Sequence, residues 1–509
     1  MTKIRVSVAM FILLLTANTA LAGAPPGYNT PIPAEILTPD SVDTDQLGTL
    51  KFFDGMPSDA TVAAVYDNLD RMRGTEVFLD MVPLASIEAM RRGMEKVGVD
   101  QANKILLYEE LMDSQSLFLT GNTDTIYAIG LLDLKRDGPT VVEIPPGAGP
   151  GTVNDAFFRF VVDMGPPGPD RGKGGKYLIL PPDFEGEVPD GYFVANSPTY
   201  INWLPLRGFL KDGKTDSAVA MWTTGLKIYP LSRAANPPDL EMINGTGKVF
   251  NTIHANDFSF YEEVAEVIDR EPVGFLDAEL RGNLAAIGIE KGKRFKPDER
   301  MRRILTDAVK VGNATARALA FRPRSETIKY YGPDSAWFSA FDGGDYRWLI
   351  ENGKGGRNKD ARTLFFYIAT VNTPAMVLEM VGAGSQYALA VTDSAGQYLD
   401  GGKNYKITIP ADVPAKDFWS LVVYDPQTRS MLQTGQPYPS KNNERNKDMK
   451  TNIDGSTTVW FGAEAPEGEE SNWIQTVPGK GWFICLRLYG PLKPWFDKTW
   501  RPGEIELTQ

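Results

Sequence analysis

The sequence contains almost none of the residues that most metal and nucleophilic sites use. Cys485 is the only cysteine and His254 the only histidine in 509 residues. A single cysteine excludes an intramolecular disulfide and a zinc site built from thiolates, and we expect its side chain to be buried. A single histidine excludes any metal site that needs two imidazole ligands from one chain. We therefore predict no cofactor, and any catalysis would depend on carboxylate, phenol and guanidinium groups.

Positive charge and long apolar runs are also scarce. The chain has 53 Lys and Arg against 65 Asp and Glu, which gives a formal net charge of -12. Nucleic acids and anionic membrane surfaces are bound by basic patches, so nucleic acid is excluded as a partner. Beyond the N-terminus, no apolar run approaches the roughly 18 residues that a membrane helix needs. We therefore predict no membrane insertion of the mature chain.

The N-terminus has the three parts of a secretory signal peptide. Lys3 and Arg5 precede an apolar run at residues 6–15, and Ala20-Leu21-Ala22 fits the small-residue rule for signal peptidase. An anchoring helix is the alternative, but the apolar run is too short to span a membrane. We predict that residues 1–22 are removed and that the protein is periplasmic or secreted.

The pattern of apolar residues divides the mature chain into helical and β regions. The predicted fold is mixed and mainly β, with a helical insert. The predicted segments are an extended arm at residues 23–56, helices and a β-sandwich at 57–250, a helical domain at 251–330, an aromatic and Gly-rich connection at 331–360, and a second β-sandwich at 361–509.

Individual elements follow from local patterns. Apolar residues that recur every three or four positions predict five helices. One starts at the capping residue Ser58, and the others cover residues 84–97, 257–268, 276–287 and 297–321. Short apolar or alternating runs between Gly-rich and Pro-rich turns predict strands at 126–134, 140–144, 157–164, 176–180, 191–194, 218–228, 405–409, 418–424, 457–461 and 482–489.

A polar knot, Gly-Asn-Thr-Asp-Thr at residues 121–125, lies between two apolar runs. Its composition predicts a turn, and turns on a β scaffold often carry functional side chains. Asp124 could act as a base or bind calcium, Tyr127 could act with it as a catalytic phenol, and Asn122 could bind substrate. The alternative is that the knot's side chains only satisfy the N–H groups of their own turn.

Four further residues are candidates for a site. His254 precedes a predicted helix and could be catalytic or structural. Arg207 follows an apolar run, so its guanidinium could bind an anionic ligand or form a buried ion pair. Trp473 and Arg487, in the C-terminal region, could hold a ring-bearing ligand. The aromatic residues of the connection could line a ligand groove or pack between domains: Trp337, Phe338, Phe341, Tyr346 and Trp348.

Several separated motifs resemble a known family. Asn122-Thr-Asp-Thr-Ile-Tyr127 and Leu131-Leu-Asp-Leu134 are similar to the domain of unknown function 1254. Its usual partner, the domain of unknown function 1214, is similar to the C-terminal motifs Phe418-Trp-Ser-Leu-Val-Val-Tyr-Asp425, Asp454-Gly-Ser456, Ser471-Asn-Trp-Ile474, Leu486-Arg-Leu-Tyr-Gly-Pro491 and Lys498-Thr-Trp500. The resemblance implies an immunoglobulin-like sandwich, a helical domain and a C-terminal jelly-roll-like sandwich. It brings no settled reaction and no established catalytic residues.

Three functions are consistent with these patterns. The first is an exported hydrolase that acts on a small organic or glycan substrate at the junction of the two sandwiches. Its catalytic candidates are Asp124, Tyr127 and His254, and its binding candidates are Asn122, Arg207, Trp473 and Arg487. The alternatives are a non-catalytic protein that binds a glycan or small ligand, and a component of envelope assembly. A homo-oligomer is compatible with each of them.

Overall fold

The computed structural model describes residue 27 and residues 30–508. The predicted signal peptide at residues 1–22 lies outside the described residues. The chain divides into two compact units, Met1–Asn68 and Leu69–Gln509. Within the described residues, none of the helices is both long and apolar enough to cross a membrane.

The first unit contains a small antiparallel sheet where an extended arm was predicted. After a short 3-10 turn at Ala34–Ile36, its strands are β1 (Ser41–Thr44), β2 (Gly48–Phe53) and β3 (Met56–Pro57). The β1–β2 turn is closed by Thr44, whose Oγ1 accepts a hydrogen bond from Leu47 N and donates one to Gly48 O, both at 3.0 Å. This side-chain hydrogen bonding turns the chain back on itself.

Helix α1 (Asp59–Lys96) is one continuous helix of 38 residues. Ser58 Oγ accepts a hydrogen bond from Thr61 N, which confirms the predicted N-cap. The prediction of a separate second helix at 84–97 was wrong, because the helix continues through Pro83. Proline removes one hydrogen bond from a helix interior. Residues 80–90 are nearly all buried, so tertiary packing keeps the helix intact.

The N-terminal β region contains two larger sheets and one two-stranded sheet. Its elements are β4 (Lys104–Leu107), β5 (Ser116–Leu117), β6 (Thr125–Asp133), α2 (Leu134–Asp137), β7 (Thr140–Ile144), β8 (Gly151–Asp155), β9 (Phe160–Met164), β10 (Gly175–Leu180), β11 (Phe193–Asn196), β12 (Ile201–Phe209), α3 (Asp216–Gly225), β13 (Lys227–Pro230), β14 (Glu241–Asn244) and β15 (Phe250–Asn251). The six-stranded sheet has the order β14-β4-β6-β12-β8-β9, and the four-stranded sheet has the order β11-β10-β7-β13. The short β5 and β15 pair separately.

Several features of this region differ from the predictions: β4, β5, β8, β14 and β15 were not predicted, and two further differences have identifiable causes. Residues 218–228 were predicted as a strand, but residues up to Gly225 belong to helix α3, because Ala218 and Trp222 are spaced for one helical face and are both buried. Strand β12 was missed because its Pro205 argues against a central strand. The structure accommodates Pro205 because β8 pairs with β12 only at Asn202 and Trp203.

Three helices follow, as predicted: α4 (Ser259–Arg270), α5 (Ala278–Ala286) and α6 (Glu299–Phe321). Asp277 and Asp298 cap α5 and α6, since their side chains accept hydrogen bonds from Leu280 N at 2.9 Å and Met301 N at 2.7 Å. Local capping and apolar periodicity therefore determine these helices. The remaining 3-10 turns are Leu231–Arg233, Val273–Phe275, Glu326–Ile328 and Glu470–Asn472.

The C-terminal region consists of two four-stranded sheets preceded by two helices. Its elements are α7 (Lys359–Ile368), α8 (Pro374–Val377), β16 (Ser385–Ala390), β17 (Tyr405–Ile409), β18 (Ala415–Tyr424), β19 (Ser440–Asn442), β20 (Thr457–Gly462), β21 (Trp473–Gln475), β22 (Phe483–Pro491), α9 (Lys493–Phe496) and β23 (Glu506–Leu507). The sheet orders are β16-β22-β18-β19 and β21-β20-β17-β23, with a shared apolar core. The four strands predicted in this region are confirmed. Over the described residues the fold is mixed and mainly β, and none of the sheets closes into a barrel.

Two helical glycines provide a test of this packing. A Cβ atom on Gly93 of α1 would lie 2.2 Å from Asn251 O, whereas one on Gly282 of α5 would meet nothing within 4 Å. We expect Gly93→Ala to lower the free energy of unfolding by about 1–3 kcal/mol. The control Gly282→Ala should raise it by about 0.5–1 kcal/mol, because alanine loses less backbone entropy. Urea unfolding of both variants measures the difference, and equal effects would contradict the described contact.

Candidate functional site

The polar knot is a buried turn that leads into β6. Asn122 Oδ1 accepts hydrogen bonds from Asp124 N at 2.9 Å and Thr125 N at 3.2 Å. Thr123 Oγ1 lies 2.6 Å from Ser440 Oγ, which belongs to β19 of the C-terminal region. The knot's polar side chains are all buried. They serve both the turn itself and the contact between the two β regions.

Asp124 is the central acceptor of this contact. Its carboxylate accepts hydrogen bonds from Ser420 Oγ at 2.6 Å, Asn442 Nδ2 at 2.9 Å and Tyr489 OH at 3.2 Å. The side chain is 1% exposed. A carboxylate with three protein donors and no exposure is held in place by the C-terminal strands. Its geometry is that of an anchor between the two β regions.

Two arginines lie near this anchor. Arg207 is opposite Tyr127 in the β6–β12 register, with its guanidinium carbon 5.7 Å from the ring centroid. Arg487 Nη2 donates to Thr120 O and to Tyr424 OH, both at 2.6 Å. Asn122 donates to the hydroxyl oxygen of Tyr127. The structure therefore brings together five of the predicted residues: Asn122, Asp124, Tyr127, Arg207 and Arg487.

His254 and Trp473 lie elsewhere. The His254 ring is buried among Phe78, Phe260 and Tyr367, and its Nδ1 lies 2.9 Å from Ala255 O. Burial, assisted by the nearby Arg429 charge, lowers the pKa of His254 to about 3. This imidazole is neutral at physiological pH.

Trp473 begins strand β21 and donates from Nε1 to Gly462 O at 3.0 Å. The indole N–H of Trp473 is therefore hydrogen-bonded within its own sheet. Cys485 is buried, and burial raises the pKa of its thiol to about 11. Both features indicate structural positions. Among the described residues, no group of His, Cys, Asp and Glu has an arrangement that could hold a metal ion.

A cavity of about 490 Å³ lies away from all of these candidates. Its walls come from the β8–β9 turn, the start of α5, the connection before α7, and α7 itself. The lining residues are Asp80, Phe157, Phe158, Arg159, Phe160, Phe275, Leu276, Asp277, Glu279, Leu280, Tyr346, Arg347, Trp348, Leu349, Arg357, Lys359, Arg362, Phe366 and Asn372. Of these, Tyr346 and Trp348 belong to the aromatic connection, for which the sequence left open a ligand groove or packing between domains.

Five cationic side chains line this cavity, and four of them have carboxylate partners. Arg362 Nη2 lies 2.6 Å from Asp80 Oδ1, and Lys359 Nζ lies 3.0 Å from Asp80 Oδ2. Arg159 pairs with Asp155 at 2.6 Å, and Arg347 pairs with Asp345 at 2.8 Å.

Arg357 is the exception. It donates to Arg347 O and forms no ion pair within residues 30–508. Arg357 is exposed to solvent, and partial burial with the Arg159 charge lowers its pKa against the opposing charges of Asp277 and Asp345. An anionic ligand would bring this guanidinium a counter-charge.

Several donors on the cavity wall are unused. Arg159 Nη2, Arg362 Nε and Trp348 Nε1 are buried atoms for which the described residues provide no hydrogen-bond acceptor. Buried donors of this kind usually have a partner, often water or a ligand. Of these three residues, only Trp348 was a candidate from the sequence, because Arg159 and Arg362 come from distant parts of the chain. The only local signal was the aromatic and Arg-rich character of residues 346–357.

Comparisons with known proteins agree with the motifs. Residues 102–230 match the family described as Protein of unknown function (DUF1254), and residues 384–493 match Protein of unknown function (DUF1214). The chain therefore contains both domains, and the resemblance to the family that pairs them is confirmed. No curated protein matches the chain.

Two solved structures are similar to the chain. The VPA0106 protein from Vibrio parahaemolyticus is 19% identical with a TM-score of 0.53, over 87% of this chain and 100% of that one. A putative uncharacterized protein from Burkholderia cenocepacia is 13% identical with a TM-score of 0.39, over 88% of this chain and 97% of that one. The first similarity shows a shared fold.

Removal of the Asp124 carboxylate tests its role as an anchor. Asp124→Ala leaves three buried donors without their acceptor, and each unsatisfied buried group costs about 1–3 kcal/mol. We expect the free energy of unfolding to fall by about 3 kcal/mol or more, measured by urea unfolding. The exposed Asp190 provides the control, because surface changes such as Asp190→Ala stay within about 0.5 kcal/mol. Equal stability of the two variants would contradict the anchor.

The His254 pKa predicts a pH-dependent stability. Its folded value of about 3 lies below the ordinary 6.5, so the unfolded chain binds more protons between these values. The contribution of the neutral His254 to stability is complete above pH 6.5 and is lost as pH falls. We expect the free energy of unfolding to decrease by about 2 kcal/mol between pH 7 and pH 5 through this residue. His254→Leu should remove this loss, which unfolding at both pH values measures. An identical pH dependence in both proteins would show that the imidazole titrates normally.

Proposed function

We propose that the protein binds a small organic anion with an apolar body in the 490 Å³ cavity. The observation that carries the proposal is the set of unpaired donors among the residues that line this cavity. Arg357 lacks a carboxylate partner among the described residues, and Arg159, Arg362 and Trp348 each have an unused buried N–H. A carboxylate, sulfonate or phosphate group would accept hydrogen bonds from such donors.

The remaining walls favour an apolar body on the same ligand. Aromatic and aliphatic side chains surround the donors: Phe158, Phe160, Phe275, Leu276, Leu280, Tyr346 and Phe366. Sites for small molecules are typically cavities of about 300–1,000 Å³ with apolar walls and a few convergent polar groups. The cavity agrees with that description in volume and in lining.

Backbone strain at the cavity supports a ligand role. Phe158 and Trp348 both line it, and both have positive φ values, 56° and 60°. Bulky side chains rarely adopt this conformation, which costs on the order of 1–3 kcal/mol and recurs at ligand sites. Trp348 stacks on Phe341 and donates its backbone N–H to Asp345 O, and these two contacts maintain the strained form.

Hydrolysis is the second candidate function. Asp80, Asp277 and Glu279 place three carboxyl groups on the cavity wall. Burial raises the pKa of Asp80 despite the opposing charges of Arg362 and Lys359. A carboxyl group with a raised pKa in a cavity is a candidate acid or base. This observation favours an ester or amide of the same organic acid as the substrate.

The compartment and the finer fold assignment belong to the same proposal. The signal peptide pattern of residues 1–22 supports a periplasmic or secreted protein. The two-sheet arrangement of each β region supports an immunoglobulin-like sandwich followed by a jelly-roll-like sandwich. An exported binding protein would meet small acids outside the cytoplasm.

Binding of simple acids tests the proposal. Benzoate, phenylacetate, octanoate and naphthalene sulfonate are titrated calorimetrically beside the matching neutral alcohols. We expect the acids to bind and the alcohols to bind at least about tenfold more weakly, since a hydrogen bond to a charged group contributes about 1.5–3 kcal/mol. The Arg357→Gln variant should bind the acids more weakly than the unchanged protein by a similar factor.

The control is Arg324→Gln. Arg324 pairs with Asp360, is 78% exposed in its side chain and does not line the cavity. It should bind each acid as the unchanged protein does. Equal affinity for acids and alcohols, or equal loss in both variants, would contradict the anion site. Ethyl esters and amides of the same acids form a second panel, in which release of free acid would support hydrolysis.

A further inference from the structure

We propose that a second, much smaller cavity, between the two β regions, binds one monovalent anion of the size of chloride or formate. This cavity has a volume of about 40 Å³. Its polar lining includes Tyr127, Arg207, Tyr387 and Arg487, which are 4%, 8%, 7% and 4% exposed. It is separate from the larger cavity, with which it shares no lining residue.

The charges around this cavity do not balance. Arg207 and Arg487 form no ion pair within residues 30–508, although both are buried. The Asp124 carboxylate does not line the cavity; it accepts hydrogen bonds from Ser420, Asn442 and Tyr489 and also faces the charge of Arg445. Buried charges are normally compensated, and a monovalent anion in the cavity would supply a counter-charge to Arg207 and Arg487.

The hydrogen-bond donors also lack acceptors. Arg487 Nε has no partner among the described residues, and the Tyr387 hydroxyl interacts with the Arg207 guanidinium, a donor that leaves the Tyr387 O–H without an acceptor. The Tyr127 oxygen already accepts from Asn122 Nδ2, so its own O–H can donate in another direction. A guanidinium N–H and two phenol O–H groups are therefore available at one cavity. Such a set of donors suits an anion, which accepts from all of them.

The volume limits the ligand. A cavity needs about 10–15 Å³ to hold one water molecule. The available 40 Å³ therefore admits a halide or a three-atom carboxylate, and excludes the larger acids proposed for the 490 Å³ cavity. Apolar neighbours such as Phe118, Phe341 and Leu389 complete the lining. They favour a weakly hydrated ion over a strongly hydrated one.

Crystals soaked in sodium bromide test this site directly. Bromide scatters anomalously and has the charge and nearly the size of chloride. We expect an anomalous peak at about 3.2–3.5 Å from Arg487 Nε and the Tyr387 hydroxyl oxygen, slightly beyond ordinary N–H···O distances. Water or no density in the cavity, with bromide absent from these groups, would overturn the proposal.

Stability in solution provides the second measurement. The midpoint of thermal unfolding is measured in sodium chloride and in sodium gluconate at equal ionic strength and pH. A ligand that binds only the folded state raises the unfolding midpoint as its concentration increases. We therefore expect the midpoint in sodium chloride to be higher than in sodium gluconate by about 2 °C or more. Equal midpoints at all concentrations would contradict a specific anion.

Two tyrosine variants separate the site from general salt effects. Tyr387→Phe removes one hydroxyl that lacks an acceptor and keeps the ring, so the chain should still fold. We expect this variant to need about tenfold more chloride for the same rise in the unfolding midpoint, because it has lost one hydrogen bond to a charged group. Tyr398→Phe is the control, because Tyr398 is 52% exposed and does not line the cavity. A chloride dependence that is unchanged in Tyr387→Phe would contradict the assignment of this hydroxyl.

Discussion

The hydrogen bonds of the buried Asp124 carboxylate are the interaction on which the second unit depends. They connect the turn before β6 to strands β18, β19 and β22, so residues 296 to 365 positions apart are held together. Ser440 adds a contact to the same turn through Thr123. Buried polar networks are favourable only when every member is satisfied, and this carboxylate has three donors. The polar knot thus fixes how the two β regions pack.

Much of the secondary structure is readable from the sequence because its causes are local. Asp298 caps α6 through a hydrogen bond three residues away, and β17 alternates between buried and less buried residues. The failures have non-local causes. Packing of its central turns keeps α1 intact through Pro83, and incomplete pairing of β8 leaves space for Pro205 in β12. Neither circumstance is visible in a window of neighbouring residues.

The candidate sites divide in the same way. The motif at residues 121–127 identified a cluster that the fold does assemble, with Arg207 and Arg487 beside it. The sequence could not show that Asp124 would be fully hydrogen-bonded, because its donors lie in the other β region. The only local signal for the large cavity was the aromatic and Arg-rich segment at residues 346–357. Its cations come from separate segments, and the positive φ values of Phe158 and Trp348 depend on tertiary packing.

The walls of the large cavity come mostly from connections between elements, whereas the Asp124 cluster joins regular strands to one turn. Substitutions in the β8–β9 turn or in the segment before α7 therefore change the lining with little effect on the sheets. Relatives that share this scaffold are free to diverge in ligand preference while keeping the same architecture. Selection on specificity and selection on foldability would then act on different parts of one gene.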